Sequence, residues 1–283
     1  MGEYRREEVL ATVLCGFREL CPEQFSTFTL QGDNMIYRHI ASSERAFVQQ
    51  LAVAYVSNGY WYYVTGCIPE HKDVLQIDEK LMGKYHVAIS KWARARRKQQ
   101  GLANVQYLRH QRFFIIIATR GLHRFFDEEG RCVKDIRREP VHFAGYSISY
   151  RRGVDRKWHA SVRIHPVEYN QLKNHLVDMA TCRSVQSMCR EFERIPFEPY
   201  APVRRQLLNI LRAVNRSRKR AGYEPVPVSA MRLSRRVVRP FEHSAASWLA
   251  EPMEPARHLC KRERRSEARA RYDTDSLLIV QSQ

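Results

Sequence analysis

The residues best suited to chemistry are cations at helical spacing. In Ser90-Lys-Trp-Ala-Arg-Ala-Arg-Arg-Lys98, Lys91, Arg94 and Lys98 recur at helical intervals while Arg96 and Arg97 extend the charge sideways. Such a row can follow a phosphate backbone, and Trp92 within it can stack on a base, as single-strand binders interleave aromatics with Arg and Lys. The alternative is a solvated helix end, with Trp92 in the core and the cations favoured by the helix dipole. A second row surrounds the apolar stripe Val203, Leu207, Leu208, Leu211 and Val214: Arg204, Arg205, Arg212, Arg216, Arg218, Lys219 and Arg220. Asn209 and Asn215 on that helix could reach bases, although asparagine is more often plain solvated surface. Among the 11 histidines, none forms H-E-x-x-H or H-x-H. His110 is the candidate for acid-base or metal chemistry, because the sheet could carry it towards His159 or His165. Asp127-Glu-Glu129, with Asp135 beyond it, is the one acidic group of a kind that binds metal; Gly130 directly after it favours a solvated turn.

The whole composition agrees with a polyanionic partner. Across 283 residues, 48 Lys and Arg face 30 Asp and Glu, a formal net charge of +18. Clustered cations gain affinity for phosphate by releasing counterions. From Tyr200 onward there are 18 basic and 8 acidic residues, so the last third holds +10 of the total. A hydrophobic fraction of 44% with 11% aromatics is enough for a substantial core, which excludes wholesale disorder. The seven cysteines include no C-x-x-C pair and do not read as a disulfide or zinc framework. The opening MGEYRREEVL lacks a secretory pattern, and no apolar run approaches the ~20 residues of a spanning helix. The expectation is a cytoplasmic protein without a membrane partner. No P-loop, dinucleotide fingerprint or G-x-S-x-G occurs, which disfavours a nucleotide-driven motor and an α/β-hydrolase.

Periodicity places these groups on elements. Arg5 to Arg18 reads as an amphipathic helix, and a second starts near Ser42 or Ser43 and stops at Asn58-Gly59. Tyr60 to Thr65 reads as a buried strand, Lys72 to Gln100 as one long helix, and Val105–Leu108 with Phe113–Thr119 as a hairpin. Val141–Tyr150 and Trp158–Ile164 form a second predicted hairpin, and Pro166 opens a helix through Met179. A short helix near Val185–Phe192 and a longer one from Pro202 to Ala221 follow. This order predicts an α+β architecture, a mainly antiparallel sheet with helices on one face plus N-terminal and C-terminal helices. The expected divisions are an N-terminal helical segment 1–59, an α+β core 60–182, a basic helical region 183–240 and a basic, partly disordered tail 241–283. The Pro-interrupted Ile195-Pro-Phe-Glu-Pro199 marks a candidate boundary.

Tyr62-Tyr-Val-Thr-Gly-Cys-Ile-Pro-Glu70, then a helix, then His110-Gln-Arg-Phe-Phe-Ile-Ile-Ile-Ala118, resembles the opening of rolling-circle replication initiators and single-tyrosine transposases. The resemblance covers Tyr60 to Lys173. It implies a ferredoxin-like sheet with a metal-binding His-hydrophobe-His strand, followed by a helix carrying a nucleophilic tyrosine. Carried across, His110 opens the metal strand, while Arg112 and Phe114 stand where further histidines belong. The tyrosine is then Tyr169, in Glu168-Tyr-Asn-Gln-Leu-Lys173, which would attack a phosphodiester with a divalent metal, Mg or Mn, stabilising the developing charge. The other reading makes Tyr169 the start of an apolar face with Leu172 and Leu176.

Three functions therefore stand as expectations. The first is a protein that binds DNA or RNA through Lys91, Trp92, Arg94, Arg97, Lys98, Arg204, Arg205, Arg212, Arg216 and Arg220, related to replication or transposition with a degenerate catalytic site. The second is an active metal-dependent phosphodiester-cleaving enzyme using Tyr169 and His110. The third is a structural or assembly protein whose basic tail engages RNA, an acidic partner or other proteins.

Overall fold

The computed structural model describes residues 37–153 and 155–241. The helix expected over Arg5–Arg18 and the tail beyond Phe241 lie outside the described residues. The first element, α1 (Glu44–Gln49), is capped by the Ser43 hydroxyl, which accepts from the Ala46 amide. The helix widens to π geometry over Gln50–Tyr55, tightens at Val56–Asn58 and ends at Gly59 with φ 93°. β1 (Tyr60–Cys67) follows, then α2 (Val74–Lys84), α3 (Lys91–Gln99), β2 (Val105–His110), β3 (Phe113–Thr119), the short α4 (Arg124–Glu129) and β4 (Lys134–Asp135). These strands make one antiparallel sheet in the order β2-β3-β1-β4. Two parallel strands, β1 and β2, are separated by β3, the split βαβ arrangement of a ferredoxin-like sheet.

Both faces of that sheet are covered, which explains why β3 is apolar at nearly every position. Alternate side chains point to opposite faces. Phe114, Ile116 and Ala118 join Leu81, Tyr85 and Phe125 in a smaller core beneath α2 and α4, whereas Ile115 and Ile117 enter a larger one. That larger core takes Phe47 and Leu51 from the first helix, and it meets a second, separate sheet. β5 (Val141–Phe143), β6 (Tyr146–Arg152) and β7 (Trp158–Ile164) pair antiparallel in that order. Tyr146, Ile148, Val162 and Ile164 supply its inner face. α5 (Pro166–Asp178), α6 (Val185–Glu193) and α7 (Ala201–Arg220) complete the packing through Leu176, Met188, Leu207 and Leu211. Each such side chain stabilises the fold by about 1.5–3 kcal/mol through burial.

Three expectations need correction. The helix predicted over Lys72–Gln100 is two helices. Tyr85 is fully buried in edge contact with Phe125, His86 takes φ 48°, and the Ser90 hydroxyl starts a new helix by accepting from the Ala93 amide. Serine competes with the backbone for such bonds, so it starts helices better than it continues them. The strand predicted over Val141–Tyr150 is a hairpin of its own, because Ala144 and Gly145 take φ 46° and 74° in a two-residue turn. The Pro-interrupted Ile195–Pro199 stretch, the candidate boundary, is tied into the fold: Glu198 is buried, with Arg45 at 3.2 Å and Arg232 at 2.6 Å. The larger core draws on residues from Ala41 to Met231, across the expected boundaries at 59 and 182. Among the described residues, no helix is long and apolar enough to cross a membrane. Cys67, Cys132, Cys182 and Cys189 are free thiols.

Candidate nucleic-acid interface

α3 has no buried residue, and Trp92 is 80% exposed. The reading that put Trp92 in the core is therefore set aside. The helix is held by its ends. Ser90 caps its start, Asn104 Nδ2 donates to the Arg94 carbonyl at 3.0 Å, and the Leu102 amide donates to the Arg97 carbonyl at 2.9 Å. Leu102 bridges in parallel to Leu122, which fixes the end of α3 against the 120–123 loop, with exposed Arg120 in that loop and exposed Arg124 at the start of α4.

The five cations of α3 are not equivalent. Lys91, Arg96 and Lys98 are exposed, whereas Arg94 and Arg97 are half-buried. Arg94 Nη1 donates to the Ile89 carbonyl at 2.7 Å, so part of its guanidinium closes the connection from α2. Arg97 borders a cavity of about 510 Å³ with His86, Leu102, Leu122, His123 and Arg124, and its buried Nε has no partner among the described residues. Burial lowers the His123 pKa, and the nearby charges of Arg97, His86 and Arg124 lower it further. Its Nδ1 accepts from the Phe125 amide at 3.0 Å, so His123 belongs to the fold as a neutral cap of α4. Among the described residues, no carboxylate forms an ion pair with Lys91, Arg96, Arg97 or Lys98.

α7 divides as its stripe predicts. Val203, Leu207, Ile210, Leu211 and Val214 are buried; Arg204, Arg205, Arg212, Arg216 and Arg220 are exposed. Arg205, Arg212 and Arg216 share one face at 3.6 residues per turn. Arg218 is a correction, since this guanidinium is buried and donates to the carbonyls of Ala180, Arg183 and Glu224 at 2.6 to 2.8 Å. Asn215 is likewise taken, exchanging two bonds with the Val226 backbone, and Asn209 accepts from Arg212. No hydrogen bond or ion pair joins α3 to α7 among the described residues, and α7 packs instead on β7 and α5.

The residues proposed for cleavage each have their own neighbours in the fold. His110 Nδ1 lies 3.1 Å from the Ala41 carbonyl, with the ring edge-on to Phe143. Tyr169 packs with Leu172 against the larger core. No hydrogen bond or ring contact joins the two among the described residues. Arg112 and Phe114, at the positions where the resemblance needs histidine, serve the fold. Arg112 donates to the carbonyls of Pro69 and Glu70 at 2.6 and 3.1 Å, and the Phe114 ring lies over Gly66, where a Cβ would come within 2.5 Å of it. His159 pairs with Asp155 at 2.7 Å, and His165 packs edge-on against His142; among the described residues neither makes a hydrogen bond or ring contact with His110. Glu128 is bound by Lys84 and Arg124, Glu129 accepts from the Tyr85 hydroxyl, and Asp135 is ion-paired to Arg137. No group of three or more His, Cys, Asp or Glu is placed to hold a metal among the described residues.

Sequence reasoning missed two assemblies. Asp78 of α2 is buried and accepts from Arg109 Nε and Nη2 at 2.9 and 2.8 Å and from the Tyr107 hydroxyl at 2.6 Å, with His39 Nε2 at 2.9 Å. Its apolar helical register with Ile77 and Leu81 was the available signal. The other is an aromatic ladder through Trp61, Tyr150 and Trp158. The chain matches no protein-family model, no curated protein and no solved structure.

Proposed function

We propose that this chain is a nucleic-acid-binding protein that holds the phosphate backbone with α3 and, on a separate surface, with α7. The observation that carries the reading is α3: a nine-residue helix with no buried residue, three exposed cations without a described carboxylate partner, and Trp92 set among them at 80% exposure. The helix dipole accounts for cations in the last turn. It does not account for an indole left in water beside them, which suits stacking on a base.

On this reading, contacts to phosphate dominate, because Asn209 and Asn215 are occupied within the protein and few base-reading groups remain on α7. The ferredoxin-like strand order supports a relationship to replication or transposition proteins. Arg112 and Phe114, committed to the fold, support a degenerate metal strand within it. A cytoplasmic location and protein partners at the C-terminal tail belong to the same proposal.

The test is a titration of single- and double-stranded DNA and RNA over a range of salt, with parallel incubations in Mg²⁺ and Mn²⁺ to reveal cleavage. The expected result is salt-sensitive binding without cleavage. No binding at low salt overturns the proposal, and metal-dependent cleavage replaces it with the enzymatic reading.

A further inference from the structure

The inner face of the second sheet runs on past the core. Tyr146, Ile148 and Tyr150 of β6 share a face with Ile164, Val162, Ala160 and Trp158 of β7. Tyr146, Ile148, Val162 and Ile164 are buried, Tyr150 and Ala160 are half-buried, and Trp158 is 51% exposed. Here the face becomes a ladder. Trp158 stacks on Tyr150 with centroids 5.6 Å apart and planes 19° from parallel. Tyr150 stacks on Trp61 at 5.3 Å, and the Arg137 guanidinium closes that end, 4.7 Å from the Trp61 ring. Among the described residues, no ring or guanidinium covers the other face of Trp158. Core packing explains Trp61 and Tyr150; it does not explain an indole half in water at the open end.

The connection beside this ring is cationic. Arg151, Arg152, Arg156 and Lys157 are all exposed. Asp155, the one carboxylate described there, is taken by His159 at 2.7 Å. Arg152, cross-strand from Trp158 on the same face, is held through its Nε by the Arg156 carbonyl at 2.8 Å, while Arg151 lies on the opposite face with Ser149, to whose hydroxyl its Nε donates at 3.0 Å.

We propose that Trp158 is a stacking platform for a base of single-stranded nucleic acid, with the hairpin cations holding the flanking phosphates. This rests on the nucleic-acid reading above and adds the strand state. A base in a duplex is already stacked on its neighbours, whereas an unpaired base can lie on an aromatic ring. Contact with Tyr150 orders the indole in advance, so less freedom is lost on binding.

The experiment compares the full chain with Trp158→Ala, Trp158→Phe and the Arg156→Gln/Lys157→Gln pair, on a labelled oligothymidylate and on a duplex. Trp158→Ala should weaken single-strand binding on the order of tenfold, with the salt slope and duplex affinity unchanged, and Trp158→Phe should recover most of the loss. The paired charge removal should lower the salt slope by about 1 to 2 instead. Ultraviolet cross-linking of the unaltered chain to a bromodeoxyuridine strand gives a reading independent of folding. A cross-link at Trp158 supports the platform, and cross-links that omit the 150–158 hairpin overturn it. Unchanged single-strand binding by Trp158→Ala, while α3 substitutions weaken it, overturns the platform and leaves the nucleic-acid reading standing. Failure of the unaltered chain to bind any nucleic acid overturns both.

Discussion

Replacing Lys91, Arg96 and Lys98 together with glutamine tests the proposed interface most directly. These three α3 cations are exposed and lack a described ion-pair partner, so their removal takes away charge without leaving a buried group stranded. Arg94 and Arg97 are kept, because both are half-buried and Arg94 holds the Ile89 carbonyl. Glutamine has nearly the helix propensity of lysine and arginine, so α3 should persist. If each cation displaces one counterion, the log-log salt slope should lose about 0.7 per contact on a single strand and about 0.9 on a duplex, or roughly 2 to 3 in all. Near 0.1 M salt that is a loss of affinity on the order of a hundredfold, shrinking as salt approaches 1 M. Fluorescence anisotropy at several salt concentrations measures slope and intercept together, and a thermal melt checks the fold. An unchanged slope, or an affinity loss equal at all salt concentrations, would refute the assignment of α3 to phosphate contacts.

Asp78→Asn should cost about 3–5 kcal/mol in urea unfolding, because Arg109 is left buried without its carboxylate, and Asp78→Leu with Arg109→Met should recover much of that loss. Burial raises the Asp78 pKa, but the bonds from His39, Arg109 and Tyr107 outweigh it and hold the carboxyl below its usual value. Its contribution to stability is therefore full above about pH 4 and is lost as pH falls through the lower folded value, which urea midpoints at a series of acid pH values will show. Arg218→Met should destabilise by roughly 3 kcal/mol, since three carbonyls lose a charged donor, while exposed Arg216→Gln should stay within about 0.5 kcal/mol; paired thermal melts separate the two. Tyr169→Phe should leave nucleic-acid affinity unchanged, and a covalent adduct formed by the parent chain and lost in this variant would restore the tyrosine-nucleophile reading.

Local patterns carried much of the architecture. Pro166 and the Leu172–Leu176 spacing marked α5, and the Val203–Val214 stripe marked α7, because each helix packs one face. The alternation along Trp158–Ile164 marked β7 for the same reason. What stayed illegible depended on partners distant in sequence. Arg218 and Arg216 look alike in a charge pattern, yet only Arg218 meets the carbonyls of Ala180 and Arg183 from another segment. The register of Asp78 with Leu81 hints at burial, but its partner Arg109 comes from β2 and has no local signal. The break between α2 and α3 was hidden because apolar spacing continues through Tyr85, Ala88 and Ile89, and the Ser90 cap has no periodic signature. The ladder could not be read either, since it needs Trp61 from one sheet to meet Tyr150 and Trp158 from the other.

The way α3 is held bears on what its side chains are for. Helices shorter than about 12 residues are marginal on their own in water, and most protein helices persist because one face is buried. α3 has nine residues and buries none, so it depends on the Ser90 cap, the Asn104 bond to Arg94, the Leu102 bond to Arg97 and the favourable meeting of the dipole with Arg96, Arg97 and Lys98. Apart from the Ser90 cap and the last-turn charges, these attachments use backbone carbonyls of the helix and do not require Lys91 or Trp92. The fold therefore places few demands on those side chains, and alanine or glutamine there should serve α3 as well. Three exposed cations and an indole on an element free of packing duties form a surface whose composition answers to a ligand. On the proposed reading, the charge would meet phosphate and the exposed indole a base next to it.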